Sequence, residues 1–171
     1  VHAILEAIST APLGEAKIMK FTRTNVGTML EGTSSTVSVQ YVLDEYYNPL
    51  PITPDSISLA SQNGTLTISG TTFTTTKAGQ DRIYIMYNGK VVQSFPVTIV
   101  DAPSQMTIKG AQEVVVGATQ NYTVEAKDAE GKNLIYNANQ VKWSVEGNIG
   151  TITSTGQFKA TTAGSGKIIA T

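Results

Sequence analysis

The chain repeats itself. The segment "GTLTISGTTFTTTKAGQDRIYI", which begins at Gly64, aligns with "GTITSTGQFKATTAGSGKIIAT", which begins at Gly150, across a single-residue gap. Gly70, Phe73, Ala78, Gly79, Arg82 and Ile83 fall on Gly156, Phe158, Ala163, Gly164, Lys167 and Ile168. Upstream, Gly32, Val37, Val39, Asp44 and Leu50 fall on Gly117, Tyr122, Val124, Asp128 and Leu134. A period of about 85 residues exceeds any solenoid unit and is the size of one small all-β domain, so two such domains in tandem are expected.

Each copy is written in short alternating runs, "STVSVQYV", "SISLA", "RIYIMY", "YTVEA" and "VKWSV", separated by Gly, Asn, Asp and Pro clusters. That pattern predicts antiparallel sheets with one wet face per strand, hence an all-β fold of β-sandwiches. Asn88-Gly89 between "IYIMY" and "KVVQSF" predicts a tight hairpin, because a type I′ turn needs positive φ at both central positions. Pro103 in "DAP" stops the preceding strand. The expected division is a leader at 1–14, one sandwich at 15–101 and a second at 102–171. "HAILEAI" is the one stretch with helical spacing, and it is too short to stand alone.

Composition excludes several classes. With 12 basic and 13 acidic residues and no basic stripe, the footprint of a nucleic-acid binder is missing. No apolar run reaches the roughly 18 residues that span a bilayer, and an export signal is expected to lie outside these residues. The absence of cysteine removes disulfides and thiolate metal sites. His2 is the sole histidine, at the extreme N-terminus, so a Ser-His-Asp triad has no base. No catalytic, cofactor-binding or metal residue is assigned, and the expectation is a protein that is not an enzyme.

Some residues invite a functional reading beside a plain one. Asp44, Glu45 and Asn48, and Asp128, Glu130 and Asn133, offer oxygen ligands that calcium accepts, but Asp, Asn and Gly are also what turns require. Turn chemistry is the preferred reading. Trp143 alternates with Val141 and Val145, which points it inward rather than toward a sugar. Tyr46, Tyr47 and Tyr84 are the better candidates for exposed aromatics. Asn63-Gly64-Thr65 and Asn121-Tyr122-Thr123 match the glycosylation sequon, with no modification expected. The second core is expected to centre on Trp143 with Val124, Ile152, Phe158 and Ile168, and the first on Val39, Leu59, Leu66, Phe73, Ile83 and Ile85.

Taken together, "VGATQNYTVEAKDAEGKNL…VKWSVEGNIGTITSTGQFKATTAGSGKIIAT" resembles a bacterial immunoglobulin-like domain of the group 2 type, with its Trp-containing strand, "GTI" step, "GQF" turn and closing "AGSGKIIA". The first copy resembles it more loosely, with Leu59 or a neighbour where Trp143 stands. The resemblance implies a non-catalytic extracellular spacer or accessory module of a larger bacterial surface or secreted protein, contacting its neighbouring domains. The alternative it leaves is an adhesin module that binds carbohydrate or protein at a cell surface. "HAILEAISTAPLGEAKIMKFTRTNVGTMLEG" is similar to the join where a secreted phosphodiester-glycosidase domain passes into trailing Ig-like repeats.

One asymmetry remains between the copies. In the first, the counterpart of Thr171 is followed by "YNGKVVQSFPVTIV", a turn and a full strand. The second sandwich is therefore expected to lack its last strand, the preferred reading being that the sequence is truncated there and the strand lies beyond Thr171 or is disordered; the open edge of "KIIAT" would then invite strand-mediated pairing with a segment donated by a second copy, and the leader "HAILEAIS" is the remaining alternative.

Overall fold

The computed structural model describes residues 13–171, so "HAILEAI" lies outside the described part. In the first half the strands are β1 (Ala16–Arg23), β2 (Thr28–Leu30), β3 (Ser34–Asp44), β4 (Pro49–Leu50), β5 (Ile57–Ser61), β6 (Leu66–Ser69), β7 (Thr72–Thr75), β8 (Gly79–Tyr87) and β9 (Lys90–Val100). The second half contributes β10 (Gln105–Lys109), β11 (Thr119–Asn121), β12 (Thr123–Lys127), β13 (Leu134–Ile135), β14 (Trp143–Glu146), β15 (Gly150–Ile152), β16 (Gln157–Ala160) and β17 (Lys167–Ala170). A single 3-10 turn at Ala138–Gln140 is the helical content of the described residues, so the fold is all-β.

One sheet of the first half runs β1-β3-β7-β6, with β4 on β3; the other runs β13-β2-β9-β8-β5. Their inner faces enclose a core of Met29, Val37, Val42, Phe73, Ile83, Ile85, Val97 and Ile99, all nearly removed from solvent. β8 shows why: Ile83, Ile85 and Tyr87 point inward while Arg82, Tyr84 and Met86 stand on the other face at half exposure. At its end Asn88 and Gly89 both take positive φ, 47° and 83°, and turn the chain into β9 as the hairpin signal predicts.

Val39 is half-buried rather than central. The register between β1 and β3 shifts between Lys20 and Phe21, which pair with Tyr41 and Val39 and leave Gln40 as an extra residue. This bulge changes the parity of the inward face, from Ser35 and Val37 to Val42 and Asp44.

The second half is built of β10-β12, β11-β16-β15 and β14-β17. Its smaller core holds Tyr122, Phe158 and Ala160, against which Val114, Trp143, Val145, Ile149, Ile152 and Ile168 are half-buried. The core therefore centres on the Tyr122–Phe158 pair, with ring centroids 6.3 Å apart, and not on Trp143. Val124 lies outside that cluster, facing the seam with the first half.

Some backbone bonds of the first half have matches in the second, at donor positions that the sequence alignment pairs. Gly32 N–H donates to Thr75 O at 2.9 Å and Gly117 N–H to Ala160 O at 2.8 Å; Val37 N–H donates to Thr71 O and Tyr122 N–H to Gly156 O, both at 2.8 Å. Ile68 pairs with Phe73 as Ile152 pairs with Phe158. On that register Leu66, not Gly64, stands at the level of Gly150, so the sequence alignment is two residues out there. Gly150 is held by space: a Cβ would lie 2.0 Å from Lys159 O and 2.7 Å from the Phe158 ring.

Candidate functional site

Asp44 and Asp128 head two turns of the same construction. Asp44 Oδ1 accepts from Tyr46 N–H at 2.9 Å and Asn48 N–H at 2.8 Å; Asp128 Oδ1 accepts from Glu130 N–H at 3.0 Å and Lys132 N–H at 2.9 Å. The second carboxylate oxygen takes Gly14 N–H and Asn48 Nδ2 at Asp44, and the Thr28 hydroxyl at Asp128. Turn chemistry thus uses both carboxylates. Burial works against the Asp44 charge, but the bonds from Gly14, Asn48 and Tyr46 outweigh it and hold the pKa down to about 2. Asp128 is also lowered, first by the Lys132 amide.

The two turns share their heading Asp and differ at the four positions after it, and one of those differences bears on the backbone. Gly131 takes a φ of 81°, and at the matching place Tyr47 takes 65°, a conformation that costs a bulky residue on the order of 1 kcal/mol. Tyr46 and Tyr47 are 67% and 73% exposed, with Ile52 also exposed nearby in the chain, whereas Tyr84 is half-buried. These tyrosines are the exposed aromatics that the sequence pointed to.

Thr28 belongs to the first half and Asp128 to the second, so their 3.1 Å bond crosses between the halves. It is one of several such ties. Leu134 and Ile135 of β13 pair in parallel with Thr28 and Met29 of β2, so a strand of the second half extends a sheet of the first. Gln140 Nε2 donates to Glu31 O at 2.5 Å. Leu134 is buried, and only a narrow apolar crevice of about 70 Å³ remains among Leu30, Met106, Val124, Leu134 and Tyr136. Of these residues Val124, Asp128 and Leu134 carried a signal in the sequence, by aligning with Val39, Asp44 and Leu50. Thr28, Glu31 and Gln140 carried none, because a seam depends on where the halves meet.

Trp143 and Val145 share the inner face of β14, and Ser144 and Glu146 the outer. Trp143 pairs with Ala170, and Leu59 pairs with Ile85, the residue that the 85-residue offset places over Ala170. The indole rests on Gly156, where a Cβ would come within 3.0 Å of the ring. Its other side borders an open depression with Val141, Ser154 and Thr155, which leaves it half-buried instead of enclosed.

A buried carboxylate escaped the sequence reading. Asp81 accepts from the hydroxyls of Ser61 (2.6 Å) and Thr65 (2.5 Å) and from the amides of Asn63, Thr65 and Arg82, tying the β5–β6 loop to β8. Burial opposes its charge, yet these donors hold its pKa well below the usual carboxylate range. Among the described residues no three His, Cys, Asp or Glu side chains gather as a metal site, and no helix is long and apolar enough to cross a membrane.

No protein-family model matches the chain, and no curated protein matches it. Some solved structures are similar. FdeC, an adhesin of Escherichia coli, is 17% identical, with 90% of this chain aligned to 60% of that one at a TM-score of 0.36. Domains 5–6 of the S-layer protein SbsC are 18% identical over 91% of each chain, with a TM-score of 0.38. A structure of SbsC domains 4–9 is 18% identical, with 92% of this chain aligned to 30% of that one at 0.42. The chain thus spans less than two thirds of the FdeC chain.

Proposed function

We propose that the chain is a tandem pair of immunoglobulin-like sandwiches, at 15–101 and 102–171, serving as a non-catalytic spacer or accessory module of a larger extracellular bacterial surface or secreted protein. The observation that carries this reading is the seam. Neighbouring domains ordinarily move relative to one another unless their interface is extensive. Here β13 adds to the first half's own sheet, and side-chain bonds from Thr28 and Gln140 brace it. A spacer needs to hold distance, and a shared sheet supplies that stiffness. Residual dipolar couplings of the full chain test it: one alignment tensor for both halves is expected, and two independent tensors would overturn the reading. The N-terminal resemblance supports a secreted phosphodiester glycosidase as the parent, which the coding sequence upstream of Val1 checks.

The exposed turn favours a second reading, an adhesin module. Tyr46 and Tyr47 are the most exposed aromatics described, and Tyr47 holds a strained backbone that a glycine would relieve, a pattern met at binding loops. Binding on a glycan or surface-protein array that is lost in Tyr46→Ala and Tyr47→Ala would favour it; an array without hits removes it.

A further inference from the structure

Residues 15–30 follow β9 from its first residue to its last, and in the same direction. Glu15 forms an ion pair with Lys90 at the start of β9. The Phe21 ring stacks on Phe95 with centroids 5.7 Å apart, and the Arg23 guanidinium lies 4.0 Å over the same ring. Met29 and Leu30 then pair in parallel with Ile99 and Val100 at the end of the strand. Both series of residue numbers rise together, so the relation is parallel throughout. β1 meets β9 from the facing sheet, by its side chains, and β2 meets it in the same sheet, by its ladder.

That direction decides what tension does. A pull that enters before residue 15 and leaves after Val100 drags the parallel partners in opposite senses along their own axes. The bonds of the β2–β9 ladder and the ring contacts beside it are then loaded together, whereas a pull across the strands parts such bonds one at a time. β2 is also held from its other side. β13 pairs with it in parallel, the Thr28 hydroxyl bonds to Asp128, and the Glu31 carbonyl accepts from Gln140. β9 and β13 both come later in the chain than β2, and only residues 101–104 separate β9 from β10. The second half therefore cannot follow β2 far when β9 is drawn away, and both flanks of β2 resist the same slide.

Given the spacer reading, on which this rests, we propose that the first half bears tension: residues 15–30 are a strap sheared between β9 and β13, and the seam slows the unfolding of the first half under a pull along the chain. Stiffness alone does not supply this, since a rod that holds its shape can still part easily when pulled. The Glu15–Lys90 pair is exposed on both sides and marks the alignment more than it adds strength. Resistance comes from the two ladders of β2 and from the side chains of Met29, Phe95 and Ile99, which are buried between the sheets.

The chain has no cysteine, so a pair of introduced thiols defines the direction of pull. Leu13→Cys with Asp101→Cys, both at exposed positions, loads residues 15–30 against β9 along the strands and leaves the second half outside the load. Asp55→Cys with Val91→Cys, also exposed, stands at one end of β5, β8 and β9 and pulls across them. In force-clamp measurements on the full chain, unfolding at one force is expected to be at least about tenfold slower in the first geometry than in the second, since forced unfolding follows the unfolding rate. Thr28→Val with Gln140→Ala is expected to speed unfolding roughly tenfold in the first geometry, the loss of about two hydrogen bonds, and to leave the second within about twofold. Equal rates in the two geometries overturn the proposal, as does a double variant that speeds both alike or neither. One alignment tensor with equal rates would leave the spacer reading standing without the strap; two tensors with unequal rates would leave the strap without the stiff spacer.

Discussion

The Thr28 hydroxyl donates to the Asp128 carboxylate across 100 residues of sequence, and the parallel pairing of Thr28 with Leu134 lies beside it. Removing the donor alone should loosen the seam without harming either core. Thr28→Val is expected to lower the melting temperature by roughly 2 to 4 °C, the effect of about one hydrogen bond in a chain of this size. Amide exchange of Leu134 and Ile135 should rise with it, while exchange of Ile83 and Phe158 stays as in the parent chain.

Phe158 is almost fully buried and Ile168 is half-buried in the same cluster. Phe158→Ala should therefore cost about 3 to 5 kcal/mol, enough to unfold a small sandwich, and Ile168→Ala roughly half as much. Denaturant melts followed at Trp143 check this; equal costs would mean that Ile168 is as enclosed as Phe158.

Tyr47 and Gly131 form a reciprocal pair, at φ 65° and 81° in matching turns. Tyr47→Gly should stabilise the first half by about 1 kcal/mol, and Gly131→Ala should destabilise the second by a similar amount, since nothing crowds a Cβ at Gly131 and the backbone conformation is the whole cost. Both shifts are read from urea midpoints.

Acid should weaken the first half in a defined window. Asp44 titrates at about 2 when folded and Asp81 lower still, whereas an unfolded Asp titrates near about 3.9. On lowering the pH the unfolded chain therefore takes up protons first, and stability falls. It should be flat above about pH 5, decline as pH drops through about 4, and approach a floor below about 2. Stability curves of the parent chain and Asp81→Asn, measured from pH 7 to 2, should differ most at neutral pH and converge in acid.

Much of this was legible because it is local. Alternation in "RIYIMY", the Asn88-Gly89 turn and the Asp-headed turns depend on neighbours within a few residues. Three things were not. The parity of β3 turns on Gln40 being bulged, which depends on how β1 pairs with it. The level of Gly150 is set by its ladder to Ala160, and a glycine-to-glycine match at Gly64 hides it. Leu50 and Leu134 align, yet Leu50 pairs with Val42 in its own half while Leu134 crosses to Thr28. The preceding residues match, Pro49 bridging to Leu43 as Asn133 bridges to Lys127, so the divergence at the leucine depends on the far strand β2 and not on the turn.

The crossing of β13 to β2 also imposes an order of events during synthesis. The partners stand more than 100 residues apart, so ribosomal delivery leaves the first sandwich complete on its β9 side of β2 well before Leu134 emerges. Throughout that interval the outer edge of β2 is a bare ladder, and nascent chains on neighbouring ribosomes present the same edge to one another. The seam that stiffens the finished molecule is thus also its last protection against co-translational misassembly, and slow translation of residues 101–135 would lengthen the period at risk.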